Sequence, residues 1–230
     1  MMIKRFCLYS TWVFMCAVLL FSSSTILATD GDWRLLNKKE QDLLLIKLAD
    51  LQQSIKTFQG EFKEERTTKA LKVPIHFEGR IYYDVQGLFF MQYLKPVKHI
   101  LRVKGGEALF YVEGSKTADV ADLTNMNGAA KKANLFAWNP AEFKGRIWTS
   151  KTAYRLEDSS RDIEEKKEGR KIIIFLNKQT LYMERIRIED EFGDVTEILL
   201  SKQRVNEELP LSILHFSLPK GTKINRMINP

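Results

Sequence analysis

The sequence predicts a mainly β (α+β) fold: a strongly curved antiparallel sheet of about ten or eleven strands, with one long N-terminal helix against its concave face. Three observations carry that prediction. Residues 75–94 read as two strands joined by a turn, and the second strand is apolar on both faces. A single apolar stripe at steps of four and three runs through residues 38–57. The last third of the chain is a series of strand patterns joined by short polar connections, which brings sequential neighbours together.

Before any of these elements stands a leader. Met1-Met2-Ile3-Lys4-Arg5 is followed by an almost wholly apolar run from Phe6 to Phe21 and then by Ser22-Ser23-Ser24-Thr25-Ile26-Leu27-Ala28. A basic start, an apolar core shorter than the ~20 residues needed to span a bilayer, and a small-residue end make a secretory signal peptide. Cleavage fits after Ala28 or after Ser24, so the expectation is a leader at 1–28 and one domain at 29–230. Both cysteines, Cys7 and Cys16, lie in the leader, which leaves the expected mature chain without disulfides or thiol chemistry. Phe14-Met15 precedes Cys16, so the sulfur has no small neighbour of the kind a lipid-anchor site needs. The expected product is exported and soluble.

The first mature element is the helix at about 38–57, where Leu44, Leu48, Leu51, Ile55 and Phe58 form the stripe and Lys47, Asp50 and Lys56 lie off it. Gln59 to Arg66 reads as a solvent-facing strand, and Thr67 to Val73 as a loop or its continuation. In the next strand Phe77, Gly79, Ile81 and Tyr83 share one face, and His76, Glu78, Arg80 and Tyr82 the other. Asp84 to Gly87 turns the chain into Leu88-Phe89-Phe90-Met91-Gln92-Tyr93-Leu94. After Pro96, His99, Leu101 and Val103 alternate with Ile100, Arg102 and Lys104; Gly105-Gly106 then turns into a returning strand at Ala108 to Val112. Val120 to Leu123 is a weaker strand. The pattern breaks from Asn125 to Trp148, where 127–133 suggests a short helix. Strands follow at Thr152–Glu157, Lys171–Leu176, Tyr182–Asp190, Val195–Arg204 and Ser212–Leu218, with the charged stretch Asp158 to Arg170 as a solvated hairpin tip.

Composition excludes several functions. The formal net charge is +7, from 36 Lys and Arg against 29 Asp and Glu; removing Lys4 and Arg5 with the leader leaves +5. No basic run is interleaved with stacking aromatics, so nucleic-acid binding is not expected. His76, His99 and His215 are far apart and each sits in a strand pattern, so neither a metal site nor a catalytic constellation is read from them. No phosphate-binding glycine loop is present. The reading is a non-enzymatic binding protein without metal or cofactor.

The aromatic supply points to what is bound. Phe89, Phe90, Met91, Tyr93, Phe110, Tyr111, Phe136, Trp138, Phe143 and Trp148 exceed what one amphipathic helix covers. Either they are core on both sides of the sheet, or the curved sheet and helix enclose an apolar trough suited to acyl chains. The expected lining of such a trough is Leu48, Leu51 and Ile55 from the helix, with Ile81, Tyr83, Phe89, Met91, Tyr93, Leu101, Phe110, Phe136 and Trp138.

In their order along the chain these segments resemble the LolA-like family of outer-membrane lipoprotein carriers. The resemblance rests on Phe58-Gln59-Gly60-Glu61-Phe62, Glu78-Gly79-Arg80-Ile81-Tyr82-Tyr83, Leu88-Phe89-Phe90 and Gly105-Gly106-Glu107-Ala108-Leu109-Phe110-Tyr111. Phe192-Gly193-Asp194-Val195-Thr196-Glu197-Ile198 and Phe216-Ser217-Leu218-Pro219-Lys220-Gly221-Thr222 complete it. It implies an open, incomplete β-barrel closed by the long helix and short lid helices, and a monomeric periplasmic carrier that shields acyl chains. It further implies loading by an ATP-driven inner-membrane lipoprotein-release complex and unloading to an outer-membrane acceptor. Phe89 matches an aromatic important for cargo handling in the family. Val85-Gln86 stands where well-known members carry Arg-Pro, whose arginine helps to latch the lid. Carriage of another lipid, and an RseB-like sensing module on the same fold, are the alternatives.

Overall fold

Asn37 starts the long helix. Its Oδ1 accepts from the Glu40 backbone N–H at 3.0 Å, and Glu40 Oε2 accepts from the Asn37 N–H at 2.8 Å. This reciprocal cap satisfies two donors that a helix start leaves open. The helix, α1 (Lys38–Ser54), ends where Ile55 turns extended, three residues short of the expected Thr57. Phe58 therefore belongs to the following strand.

The computed structural model describes residues 32–70, 73–123, 140–158 and 171–227, and Asp32–Pro230 forms one compact unit. The expected leader, the short helix at 127–133, Phe136, Trp138 and nearly all of the charged hairpin tip lie outside the described residues.

Among the described residues thirteen strands form one sheet. They are β1 (Arg34–Leu35), β2 (Thr57–Thr67), β3 (Ile75–Asp84), β4 (Phe89–Lys95), β5 (His99–Lys104), β6 (Glu107–Val112), β7 (Thr117–Asp122), β8 (Arg146–Thr149), β9 (Ala153–Asp158), β10 (Lys171–Asn177), β11 (Met183–Glu189), β12 (Val195–Val205) and β13 (Lys223–Met227). The spatial order is β1-β8-β9-β10-β11-β12-β2-β3-β4-β5-β6-β7-β13, an unclosed curved sheet. Every neighbouring pair is antiparallel except β7 and β13, which run parallel. The count exceeds the sequence reading through β1, β8 and β13. β8, only four residues long, straddles the end of the stretch whose pattern looked broken.

The expected strand at Ser212–Leu218 is absent. In its place a one-turn helix, α2 (Leu211–Leu214), opens an irregular segment between Pro210 and Pro219. Leu209, Ile213 and Phe216 recur at steps of four and three and pack on Tyr82, Leu88 and Phe90.

The two faces of the sheet have different covers. On the inner face α1 lays Leu44 and Leu48 on Ile147, Leu156, Ile174 and Leu176 of β8–β10. The same face continues across β11-β12-β2-β3-β4 as a second cluster: Phe58, Phe62, Ile81, Phe89, Met91, Tyr93, Ile186, Ile198 and Leu200. On the outer face the segment 209–218 covers Tyr82, Leu88, Phe90, Leu109, Tyr111 and Val120. The doubly apolar strand is thus explained: Phe89, Met91 and Tyr93 face inward, while Leu88 and Phe90 meet the C-terminal segment.

One expectation for β2 is reversed. It is no solvent-facing strand but a central one, paired with both β12 and β3. Phe62 is 1% exposed because its ring lies over Gly79, where any Cβ would collide with it and with Gln92 O.

Candidate apolar binding site

The described residues of the sequence-predicted lining, all but Phe136 and Trp138, fall into three groups. Ile81, Phe89, Met91 and Tyr93 are buried together on the inner face, with Ile55, Tyr83 and Leu101 packed against them. Leu48 and Leu51 join Ile55 at an apolar cleft described below. Phe110 pairs with Leu101 across β5–β6 but is 39% exposed, tilted against His99 at 5.3 Å between ring centroids. It stands at the margin of the inner face rather than inside it, because β6 is close to the sheet edge.

The cleft has a volume of about 90 Å³ and runs under the C-terminal half of α1. Leu48, Leu51 and Ile55 form its helix wall; Phe58, Leu176, Leu181, Met183 and Pro140 face them. Gln203 lies at its side, donating Nε2 to Met183 O at 2.6 Å, while its Oε1 is buried without a protein partner.

The helix wall is held by main-chain and Asn206 contacts. Asn206 adopts φ 60° just after β12, accepts from the Lys56 N–H at 2.7 Å and donates to Ser54 O at 3.0 Å. Its own N–H donates to Thr57 O at 2.9 Å. The β3–β4 turn is tied in as well: Val85 N–H donates to Lys56 O at 2.8 Å. The 63% exposed Val85 side chain takes no part in this, so the contact made here is main chain to main chain.

At the opposite end of the same face, polar groups interrupt the apolar surface. Glu64, 3% exposed, accepts from the Tyr93 hydroxyl at 2.9 Å and from Arg66 Nε. Arg66 also lies over the Phe77 ring, 4.7 Å from its centroid. Tyr93 stacks on His99 at 4.0 Å with an interplanar angle of 14°, and meets Phe62 and Phe77 edge-on. Burial first, and then the Glu64 carboxylate, push the Tyr93 hydroxyl above its ordinary range, so it stays a neutral donor. Of this group only Tyr93 was expected from the sequence. A charge at Glu64 after Phe58, Gly60 and Phe62 at steps of two was the available signal, since it placed a carboxylate on the apolar face.

Among the described residues no group of three or more His, Cys, Asp or Glu is placed to hold a metal, and no helix is long and apolar enough to cross a membrane.

No family model matches the chain. It is 23% identical over 178 residues, 74% of its length and 81% of the other protein, to an outer-membrane lipoprotein carrier protein of Cupriavidus pinatubonensis. The chain resembles the outer-membrane lipoprotein carriers. That likeness spans most of the segment over which the motifs already suggested it. Among solved structures, an uncharacterized conserved protein from Thermus thermophilus aligns at TM-score 0.48 and 12% identity, over 81% of this chain and 99% of that one. A LolA superfamily protein from Nitrosomonas europaea aligns at 0.41 and 10%, over 74% and 96%. MucB in its complex with MucA from Pseudomonas aeruginosa aligns at 0.47 and 14%, over 78% and 61%.

Proposed function

We propose that this protein is a periplasmic carrier that shields the acyl chains of lipoproteins on the inner face of its sheet and moves them from the inner to the outer membrane. It would be loaded by an ATP-driven inner-membrane complex and unloaded to an outer-membrane acceptor. The observation that carries this reading is the continuity of the inner face. A buried apolar surface from Phe58 to Met91 adjoins, through Ile55 and Phe58, a cleft walled by Leu51, Ile55 and Met183 with Gln203 at its side. Apolar walls with an adaptable thioether take flexible chains without demanding one shape.

The cleft's volume bears on how cargo enters. About 90 Å³ is well below the ~300–1,000 Å³ of ordinary ligand pockets. Uptake on this reading widens the space between α1 and the sheet. Leu51 and Ile55 are the residues to test, because they are half-buried at the opening, whereas a charge at the 2% exposed Phe89 would unfold the sheet before it reported on cargo. Leu51→Glu and Ile55→Glu should abolish capture of a diacylated peptide while the chain stays folded by circular dichroism. Full capture by both folded variants would remove the cleft from the account.

A further inference from the structure

Resting on the carrier reading, we infer that the inner face is a directional site: Arg66, Glu64 and Tyr93 form a polar subsite for the neutral ester or amide linkage of an acylated ligand, with its hydrocarbon chain running toward the α1 cleft. The inner-facing residues of β2 change character along the strand, from Phe58 and Phe62 to Glu64 and Arg66. Neighbouring strands change in step. On β4 the series runs Phe89, Met91, Tyr93, and on β5 it runs Val103, Leu101, His99, each register-paired across the sheet. One end of the face is therefore hydrocarbon, and the other is a shelf of rings carrying hydroxyl, imidazole and guanidinium groups.

Burying a carboxylate at 3% exposure on an apolar face is costly unless it is paired and hydrogen-bonded. Glu64 is paired, but the pair reaches outward. Arg66 keeps 45% of its side chain exposed, with Nε committed to Glu64 and one face on Phe77. A guanidinium has five donors, so those not directed at Glu64 and Tyr93 remain to serve an acceptor from outside. The charge of Arg66 is already balanced by Glu64. The subsite thus offers donors without net positive charge, which suits a neutral carbonyl better than a carboxylate or phosphate. Tyr93 fixes the arrangement by occupying the second Glu64 oxygen.

The test compares a monoacylglycerol with the free fatty acid of the same chain length, binding each to the chain 29–230 by calorimetry. The wild type should favour the monoacylglycerol by about tenfold, roughly one charge-assisted hydrogen bond. Arg66→Gln should erase that preference while both ligands still bind through their tails. Glu64→Gln, which leaves Arg66 unbalanced, should turn the preference toward the fatty acid, a reversal that a merely structural role would not produce. If Glu64→Gln fails to fold, the half-exposed Arg66 variant still decides. A wild-type preference unchanged in Arg66→Gln overturns the subsite and leaves the carrier reading standing. Binding of neither ligand by the wild type overturns both. A nitroxide at the chain's terminal carbon should broaden Met183 methyl signals; broadening at Tyr93 and His99 instead would show the opposite orientation and sink the inference.

Discussion

The Tyr93 hydroxyl donates to the Glu64 carboxylate at 2.9 Å, joining β4 to β2 across the intervening β3 on the inner face of the sheet. Both residues are buried, so this bond has no water to replace it. Tyr93→Phe should cost about 1–3 kcal/mol, the range for leaving a buried acceptor short of a partner. The same contact gives an alkaline signature. Because the folded-state pKa of Tyr93 is raised by burial and by Glu64, its contribution is fully present below the unfolded value of about 10 and is lost as pH rises through the folded one. Urea midpoints should therefore fall more steeply above pH ~10 in the wild type than in Tyr93→Phe. Parallel curves would show that the phenol does not carry this linkage.

Gly79→Ala tests the packing of Phe62 against β3. The new Cβ would meet the Phe62 ring and Gln92 O, and the backbone oxygen cannot move without breaking the sheet. Overpacking of this kind costs about 1–3 kcal/mol or more. A denaturation midpoint equal to that of the wild type would mean that the strands separate more easily than this register implies.

Asn206→Ala removes two hydrogen bonds that hold the end of α1 and the start of β2, and places alanine at φ 60°. Together these should cost about 2–4 kcal/mol. Asn206→Gly should recover the backbone part. Since α1 forms one wall of the cleft, amide exchange at residues 48–56 should accelerate in both variants. Unchanged exchange there would separate the clamp from the cleft.

Glu40 reports on the helix start. The Arg34 guanidinium first, then the Asn37 N–H, hold its carboxyl down at about 2. Its stabilising effect is present above the unfolded carboxylate range and is lost as pH falls through about 2. A carbon-detected NMR titration should place Glu40 well below the other exposed glutamates. A midpoint near 4 would show that the capping box and its Arg34 partner do not persist in solution.

Much of the fold was legible because its periods were clean. Leu44 and Leu48 at a step of four announced α1, and Phe77-Gly79-Ile81-Tyr83 at steps of two announced the inner face of β3. The doubly apolar β4 correctly demanded two covers. What covers its outer face was missed, because Leu209, Ile213 and Phe216 have helical spacing within a segment whose alternating residues also read as a strand. The parallel pairing of β13 with β7 was illegible for another reason: it joins residues about a hundred positions apart and has no local pattern. In the candidate site, periodicity placed Leu48, Leu51 and Ile55 at the cleft but gave no sign of Leu176, Leu181 and Met183 opposite them, which come from distant strands and a turn. Glu64 and Arg66 were not legible either, because a charged run at 61–66 looks solvated until both neighbours of β2 are known.

On the proposed function, acyl chains, not the peptide that bears them, are what the inner face holds. Native mass spectrometry of the chain 29–230 with a diacylated lipopeptide and its unacylated form tests this directly. A one-to-one complex should form with the acylated peptide only, and Ile55→Glu should weaken it. Equal binding of both peptides would contradict the claim and favour a protein-sensing module; binding of neither would leave the apolar face without its proposed ligand.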